Sequence, residues 1–335
     1  MIGPDPGPDA DPDPARDAGG ETGHGIDRDD VVAAADRLGD RVRRTPAVVL
    51  DSRPFGTPVA LKLELLQHTG SFKARGMLNR LLAADLPAGS RVVAASGGNA
   101  GLAVAYAARE LGLVAHIVVP VTAPAVKVTR LRELGAAVVQ EGTVYAEAAA
   151  VAAAHAERTG GLLVHAYDQP EVCAGNGTLA LELVEQVGPV DTVLVATGGG
   201  GLVAGIGAAL ADRARVVAVE PERCPTLHAA LAAGKPVDVE VGGIAADSLG
   251  AGRVGEVCWS VAQRTGMTSV LVPDEAIARA RGRLWAQLRV LAEYGGAAAL
   301  AALVTGAYLP EPGERVAAIV CGGNTDPSAV LRDPA

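Results

Sequence analysis

The hydrophobic and polar positions of this chain follow two alternating patterns. Short apolar runs, as at 91–95, 115–119 and 192–196, predict buried β-strands, and longer stretches with helical spacing follow them. Glycine stands directly after several of these stretches, which is typical of a helix C-terminus. The pattern predicts further strands at 138–139, 162–164, 216–219 and 315–320, and helices at 101–111, 125–134, 147–158, 177–187, 202–213, 274–291 and 297–305. Because buried strands separated by helices form parallel βαβ units, we predict an α/β protein with open twisted sheets.

Composition and charge narrow the class of protein. The chain has 335 residues, of which 49% are hydrophobic and 20% charged, so it can bury a core and is globular. The net charge is −9, and residues 1–30 hold nine acidic side chains against two arginines. Since that segment also holds five Pro and six Gly, we predict that residues 1–27 form a disordered acidic tail, with a partner-binding arm as the alternative. An acidic chain without a basic surface argues against nucleic-acid binding.

Membrane, secretory and zinc-binding signatures are missing from the sequence. The N-terminus has no basic region followed by an apolar one, and no apolar run reaches the ~20 residues of a membrane span. The four cysteines are far apart and form no C-x-x-C pair: Cys173, Cys224, Cys258 and Cys321. The sequence therefore predicts a cytoplasmic protein with reduced thiols.

Three loops that follow predicted strands are candidates for a ligand site, because ligands of open α/β sheets bind beyond the carboxyl ends of the strands. The loops are Ser96-Gly97-Gly98-Asn99, Gly198-Gly199-Gly200-Gly201 and Cys321-Gly322-Gly323-Asn324. Four successive glycines before a helix turn several N–H groups toward one anion, so the second loop predicts a phosphate site. Residues 199–204 also satisfy G-x-G-x-x-A, and Glu220 follows at the distance of a ribose-binding acid. A dinucleotide oxidoreductase therefore stays open.

The segment Ser71-Phe72-Lys73-Ala74-Arg75-Gly76 holds a lysine between an aromatic and small residues. A lysine that is removed from water can lose its proton and act as a nucleophile. The segment resembles the Schiff-base site of the fold-type II pyridoxal-phosphate enzymes of the threonine/serine dehydratase family. The three loops above and Gly175-Asn176-Gly177-Thr178 follow in the order of the family, so the resemblance covers about residues 30–330.

The resemblance implies a fold and a set of site residues. It implies two α/β domains in a tryptophan-synthase-β-like arrangement, with pyridoxal 5'-phosphate in the cleft between them. Lys73 would bind the cofactor covalently and then act as the general base. The residues implied to bind the cofactor are Phe72, Lys73, Asn99 at the phenolic oxygen, Gly198, Gly199, Gly200, Gly201, Leu202, and Cys321 at the pyridine nitrogen. The residues implied to bind the substrate carboxylate are Ser96, Gly97, Asn99 and Ala100.

Three positions depart from the pattern of the family. Gly97 stands where racemases have the serine that moves protons on the far face of the ring, which favours elimination over racemisation. At the divalent-cation site of relatives this chain has Glu220, Cys224 and Thr226, so Glu220 is the candidate metal ligand. A monovalent cation held by carbonyls stays open. Asn176 stands where Gln is commoner, and the sequence offers no explanation for it.

The predicted activity is the dehydrative deamination of L-threonine or L-serine, which releases ammonia and a 2-oxo acid. The alternative is elimination or racemisation of another β-substituted amino acid, as in serine racemase and in hydroxyaspartate or phenylserine dehydratases. We expect a large domain of residues 28–88 and 165–330, a small domain of residues 89–164, and a tail of residues 331–335. We also expect a homo-oligomer, a dimer or a tetramer, that lacks an isoleucine-feedback domain. Glu293 stays open between a site acid and a helix cap.

Overall fold

The computed structural model describes residues 25–51, 55 and 57–334, and these residues form two β-sheets. The strands are β1 Ala47–Leu50, β2 Val59–Lys62, β3 Arg91–Ala95, β4 Val114–Val119, β5 Ala137–Gln140, β6 Leu162–Leu163, β7 Thr192–Ala196, β8 Arg215–Pro221, β9 Thr268–Val272 and β10 Val316–Ile319. The larger sheet has the order β1-β2-β10-β7-β8-β9 and is parallel except for the β1–β2 pair. The smaller sheet, β5-β4-β3-β6, is parallel throughout. The prediction of an α/β fold is confirmed.

Helices connect the parallel strands and cover the sheets. They are α1 Arg28–Leu38, α2 Lys73–Ala84, α3 Asn99–Glu110, α4 Ala125–Glu133, α5 Tyr145–Thr159, α6 Pro170–Val187, α7 Gly201–Leu210, α8 Thr226–Ala233, α9 Ala246–Leu249, α10 Glu256–Thr265, α11 Asp274–Leu288, α12 Tyr294–Thr305 and α13 Pro327–Val330. None of them is long and apolar enough to cross a membrane.

Small side chains allow the helices to lie close to the larger sheet and to each other. Helix α12 is rich in Ala and Gly, and most of its residues are buried against the sheet. Helices α6 and α7 meet at their backbones, where a Cβ atom on Gly177 would lie 2.4 Å from the Gly205 carbonyl oxygen. The core of the larger sheet therefore depends on glycine and alanine for its close packing.

The smaller sheet separates two apolar layers. Helices α2, α3 and α4 pack on one face of it, around Val92 and Ile117. Helix α5 packs on the other face, around Val93 and Val118. Alternate residues of one strand therefore enter opposite layers, as the pleat of a β-strand requires.

Two polar contacts join α4, beside the smaller sheet, to loops at the edge of the larger one. Lys127 Nζ pairs with Asp247 Oδ1 at 2.5 Å. Arg130 Nη2 donates to Asn324 Oδ1 at 3.0 Å. These contacts therefore link a helix of the smaller sheet to loops beside the larger one.

The structure adds strands β1, β2 and β9 to the predicted ones, and it corrects the predictions for α6 and for the N-terminal tail. Helix α6 begins at Pro170, and the predicted helix began only at residue 177. The glycines at 175 and 177 weaken the helical pattern in the sequence, and close contacts with neighbouring helices stabilise the helix there. Of the predicted acidic tail, residues 1–24 lie outside the described residues, while Ile26 is buried and Asp27 caps α1. The domain limits stay a prediction.

Candidate active site

Lys73 begins helix α2, and its amine is buried. Its Nζ donates a hydrogen bond to the carbonyl of Ala166 at 2.5 Å and lies 5.2 Å from the centre of the Phe72 ring. Burial lowers the pKa of Lys73 to about 8, although nearby acidic groups oppose the shift. The amine is therefore neutral far more often than that of an exposed lysine, as a nucleophile requires.

Backbone contacts hold the turn before Lys73 against the loop that follows β10. The N–H of Phe72 donates to the Cys321 carbonyl at 3.0 Å, and Ser71 forms an antiparallel bridge with Gly322. Among the described residues, the buried hydroxyl oxygens of Thr69 and Ser71 have no hydrogen-bond partner. Since buried polar atoms are nearly always hydrogen-bonded, these hydroxyls indicate a polar ligand at this turn.

The four glycines connect β7 to α7 in a loop that has no room for side chains. A Cβ atom on Gly199 would lie 2.4 Å from the Tyr167 ring. Gly200 has a φ of +92°, a left-handed conformation that glycine adopts without strain. Helix α7 begins at Gly201 and buries Leu202 in its first turn, so the loop meets the positive end of the helix dipole. This arrangement suits a phosphate group.

Asn99 lies in a chain of side-chain hydrogen bonds at the start of α3. Its Nδ2 donates to Glu293 Oε1 at 2.6 Å, and its Oδ1 accepts from Asn324 Nδ2 at 2.7 Å. Burial raises the pKa of Glu293 to about 7, although the hydrogen bond from Asn99 opposes the shift. Glu293 precedes α12, but its side chain makes no capping hydrogen bond there. Of the two alternatives from the sequence, the structure therefore favours a site carboxyl group over a helix cap.

The turn between β3 and α3 brings small residues to the start of a helix. Ser96 Oγ accepts a hydrogen bond from the N–H of Gly98 at 3.2 Å, and Ala100 is buried in the first turn of α3. A Cβ atom on Gly97 would be 3.6 Å from Val119 Cγ1, which is an ordinary contact. A side chain would therefore fit at position 97, and its absence leaves open space beside the turn.

Cys321 is buried at the end of the last strand. Its Sγ is 3.5 Å from the Gly295 carbonyl oxygen. Burial raises the pKa of the Cys321 thiol, so the group is uncharged at neutral pH. The structure places this neutral thiol after β10, Asn99 after β3 and the glycine loop after β7. The roles of these residues and of Lys73 stay predictions.

These residues fit pyridoxal phosphate, the cofactor that the resemblance implies. A buried amine with a lowered pKa can bind an aldehyde covalently, and the glycine loop with the start of α7 can hold a phosphate. The buried hydroxyls at Thr69 and Ser71 can serve as further polar partners. When bound, the cofactor supplies an electron sink for a substrate amine.

Glu220 does not fit a divalent cation. Its carboxylate accepts hydrogen bonds from the N–H groups of Leu227 at 2.8 Å and His228 at 2.9 Å, from Ser269 Oγ at 2.5 Å and from Thr226 Oγ1 at 3.3 Å. Burial raises the pKa of Glu220 to about 6, and these donors oppose the shift. No cluster of three or more His, Cys, Asp or Glu side chains suited to a metal occurs in the part of the chain that the structure describes. The buried carboxylate is equally unsuited to bind a ribose.

The sequence did not single out Tyr167, and it named Asn324 only as part of a candidate loop. The ring of Tyr167 lies against the glycine loop, and its hydroxyl donates to the Arg253 carbonyl at 3.3 Å. Asn324 belongs to a noted loop, but its bond to Asn99 had no signal in the sequence. Tyr167 could have been found, because it stands in another loop between a predicted strand, 162–164, and a helix.

A lysine with a lowered pKa and a glycine loop at the start of a helix, both in an α/β fold, suit an enzyme that holds a phosphorylated aldehyde cofactor through an amine. The chain belongs to the family described as "Pyridoxal-phosphate dependent enzyme", which matches residues 38–322. This membership replaces the dinucleotide alternative.

The relatives within this family have several activities. The chain is 36% identical to an L-threonine ammonia-lyase of Thermotoga maritima, over 92% of this chain and 78% of that protein. It is 37% identical to a phenylserine dehydratase of Ralstonia pickettii, over 88% of this chain and 92% of that protein. The structure of maize serine racemase matches with a TM-score of 0.85 and 32% identity, over 92% of this chain and 96% of that one. The chain is thus a pyridoxal-phosphate-dependent enzyme with ammonia-lyases and racemases among its relatives.

Proposed function

We propose that the protein removes water from L-threonine or L-serine and releases ammonia and the 2-oxo acid. The observation that carries this proposal is that the site combines one buried base, Lys73, with a glycine at position 97. Lys73 offers a buried amine with a pKa near 8, and Gly97 offers no side chain beside the turn that would bind the substrate. One base suffices for elimination, whereas racemisation needs a second group on the other face.

Each step of the proposed reaction can be assigned to particular residues of this chain. The N–H groups at the start of α3, with Ser96, bind the substrate carboxylate and orient its Cα. Lys73 Nζ then takes the proton from Cα, at a point where burial has removed competing water. The Cys321 thiol stays neutral and provides no negative charge that would hold a proton on a ring nitrogen. The β-hydroxyl leaves as water with one proton, which balances the proton that Lys73 Nζ takes from Cα. The enamine product becomes an imine, and its hydrolysis by water releases ammonia and the 2-oxo acid.

Lys127 is the charged side chain that would contact a Cβ atom at position 97, and its ammonium group is already paired. The side chain of Lys127 passes nearby, and its Cδ would be 4.0 Å from a Cβ atom on Gly97. Its Nζ pairs with Asp247 at 2.5 Å. This pairing holds the ammonium group at the cleft rim and supports elimination over racemisation.

A second candidate is a dehydratase for a larger, apolar β-substituent, as in phenylserine. A cavity next to the site is lined largely by small and apolar side chains: Ala95, Tyr145, Ala149, Ala152, Leu163, Val164, His165 and Ala166. Ala95 precedes Ser96, and the Ala166 carbonyl accepts the bond from Lys73. The cavity holds only about 20 Å³, so this second candidate rests chiefly on the 37% identity to the phenylserine dehydratase.

The test is the release of 2-oxo acid by the purified protein with pyridoxal phosphate. L-Threonine, L-serine, phenylserine and hydroxyaspartate are compared, and Lys73→Ala serves as the blank. We expect the highest kcat/KM for threonine or serine and none in the variant. A higher kcat/KM for phenylserine would replace the proposal with the second candidate. Formation of D-serine at a rate equal to elimination would contradict it.

A further inference from the structure

Asn176 connects the two halves of the cofactor site through one side chain. It lies in α6 and is fully buried. Its Oδ1 accepts a hydrogen bond from the N–H of Gly76 at 3.1 Å, and its Nδ2 donates to the Gly201 carbonyl at 3.3 Å. Gly76 lies one turn after Lys73 in α2, and Gly201 ends the glycine loop. The amide of Asn176 therefore bridges the first turn of α2, which holds Lys73, and the glycine loop.

The orientation of this amide follows from its neighbours. The oxygen faces an N–H group and the nitrogen faces a carbonyl, so a rotated amide would lose both hydrogen bonds. The amide lies close against the backbone of α2. A Cβ atom on Gly76 would lie 2.5 Å from Asn176 Oδ1, which explains the glycine that ends the lysine motif.

The site needs this connection, because its ligand is held at two points. Pyridoxal phosphate is bound by its aldehyde carbon and by its phosphate group, and Lys73 and the glycine loop belong to different helices. A ligand held at two points gains affinity only when the spacing of the two points matches it. Helices α2 and α7 both pack on α6, and Asn176 is where α6 bonds to the two of them at once.

We propose that Asn176 is a positioning residue that fixes the spacing between Lys73 and the phosphate loop and thereby sets the retention of the cofactor. This inference rests on the pyridoxal-phosphate site and not on the choice of substrate. It also gives a physical role to the residue that the sequence left without one.

Asn79 provides a matched control. It is also a fully buried asparagine, and it links α2 to the start of α6 through a bond from its Nδ2 to the Glu171 carbonyl at 2.6 Å. Its Oδ1 accepts from Arg37 Nη1 at 2.5 Å. It forms no hydrogen bond with the glycine loop. Loss of either amide costs a buried hydrogen bond, but only loss of Asn176 alters the spacing across the site.

The experiment compares full-length Asn176→Asp and Asn176→Ser with Asn79→Asp and Asn79→Ser. Asn176→Asp keeps an oxygen for the Gly76 N–H and removes the donor to Gly201, with little change in shape. For each variant we measure the melting temperature, the dissociation constant of pyridoxal phosphate, and the dissociation constant of inorganic phosphate. No substrate is present, so the outcome is independent of the proposed reaction.

The Asn176 variants and the Asn79 variants should differ in their affinity for pyridoxal phosphate. We expect all four variants to melt at lower temperature, because each loses a buried hydrogen bond. The Asn176 variants should bind pyridoxal phosphate about tenfold more weakly, with inorganic phosphate affected less than twofold. The Asn79 variants should change neither constant by more than twofold. Equal weakening of pyridoxal phosphate in both pairs, or equal weakening of both ligands in the Asn176 variants, would overturn the proposal.

Discussion

Replacement of Glu182 by glutamine should destabilise the protein, because this carboxylate completes a buried set of four charges. Arg75 Nη1 donates to Glu182 at 2.7 Å, and Lys62 Nζ donates to it at 2.8 Å. The fourth member, Glu64, accepts from Arg75 Nη2 at 2.8 Å. The side chains of Lys62, Glu64 and Arg75 are inaccessible to solvent. Since Arg75 stands two residues after Lys73, the set also supports the start of α2.

The size of the loss in stability follows from the burial of the four charged side chains. The wild-type set has two positive and two negative side chains, so Glu182→Gln leaves one buried positive charge without compensation. Removal of one partner from a buried ion pair costs about 3–5 kcal/mol of the free energy of unfolding. Glutamine retains a hydrogen-bonding oxygen, so we expect a loss near the lower limit, about 3 kcal/mol.

Glu185 lies one turn further along α6 and is the matched control. It accepts from Arg44 Nη1 at 2.8 Å, but the side chains of this pair are 64% and 55% exposed. An exposed pair of this kind contributes about 0–1 kcal/mol. The two glutamine variants therefore differ in burial and not in residue type, helix or kind of partner.

The assay is urea unfolding followed by tryptophan fluorescence at pH 7 and in acid. Burial would raise the pKa of Glu182, but the hydrogen bonds and charges of Arg75 and Lys62 hold it below its ordinary value. The carboxylate therefore contributes stability above pH 4.5, and this contribution is lost as the pH falls through the lower pKa of the folded state. The difference in the free energy of unfolding between wild type and Glu182→Gln should therefore become smaller in acid. A loss at pH 7 equal to that of Glu185→Gln would refute the reasoning.

Three further predictions concern the site. Between pH 4.5 and 7, Glu293 is ionised in the unfolded chain but still protonated in the folded one. As the pH rises through this range, the free energy of unfolding of wild type should therefore fall by up to about 3 kcal/mol relative to that of Glu293→Gln. Parallel pH profiles of the free energy of unfolding would contradict this prediction. Gly97→Ser places a hydroxyl where space exists, so chiral chromatography should detect D-serine at least tenfold above wild type, and an unchanged level would disprove the assignment of that face. The rate of covalent cofactor uptake should rise with pH with its midpoint near pH 8, where half of the Lys73 amine has lost its proton, and should level off above about pH 9; a rise that continues to pH 10 would show an ordinary lysine.

The alternation of elements could be predicted from the sequence, because the apolar runs match the parallel strands closely. The predicted strands at 91–95 and 192–196 are β3 and β7 with the same limits. Strand β2 was missed, because it ends in Lys62, a charge that only partners far along the chain make tolerable in a buried strand. Burial of a charge depends on such partners, and one sequence does not reveal them.

The position of the candidate site could also be predicted, but its internal contacts could not. Ligands of open α/β sheets bind beyond the carboxyl ends of the strands, and this rule singled out the loops that hold Asn99, the four glycines and Cys321. Lys73 was assigned from its own segment and the family resemblance. The contacts that orient them join residues distant in sequence. Glu293 reaches Asn99 across 194 positions, and Gly76 reaches Asn176 across 100. Such pairs follow from helix packing, which periodicity does not specify.

The covalent attachment of the cofactor to Lys73 is the most direct test of the account. The holoenzyme is treated with borohydride, which converts a link between Lys73 Nζ and the cofactor into a stable amine, and its peptides are analysed by mass spectrometry. We predict that one reduced cofactor is found on the peptide that contains Lys73, with none on the peptides of the buried Lys62. Cofactor found on another lysine, or an unmodified Lys73 in a protein that retains the cofactor, would contradict the account.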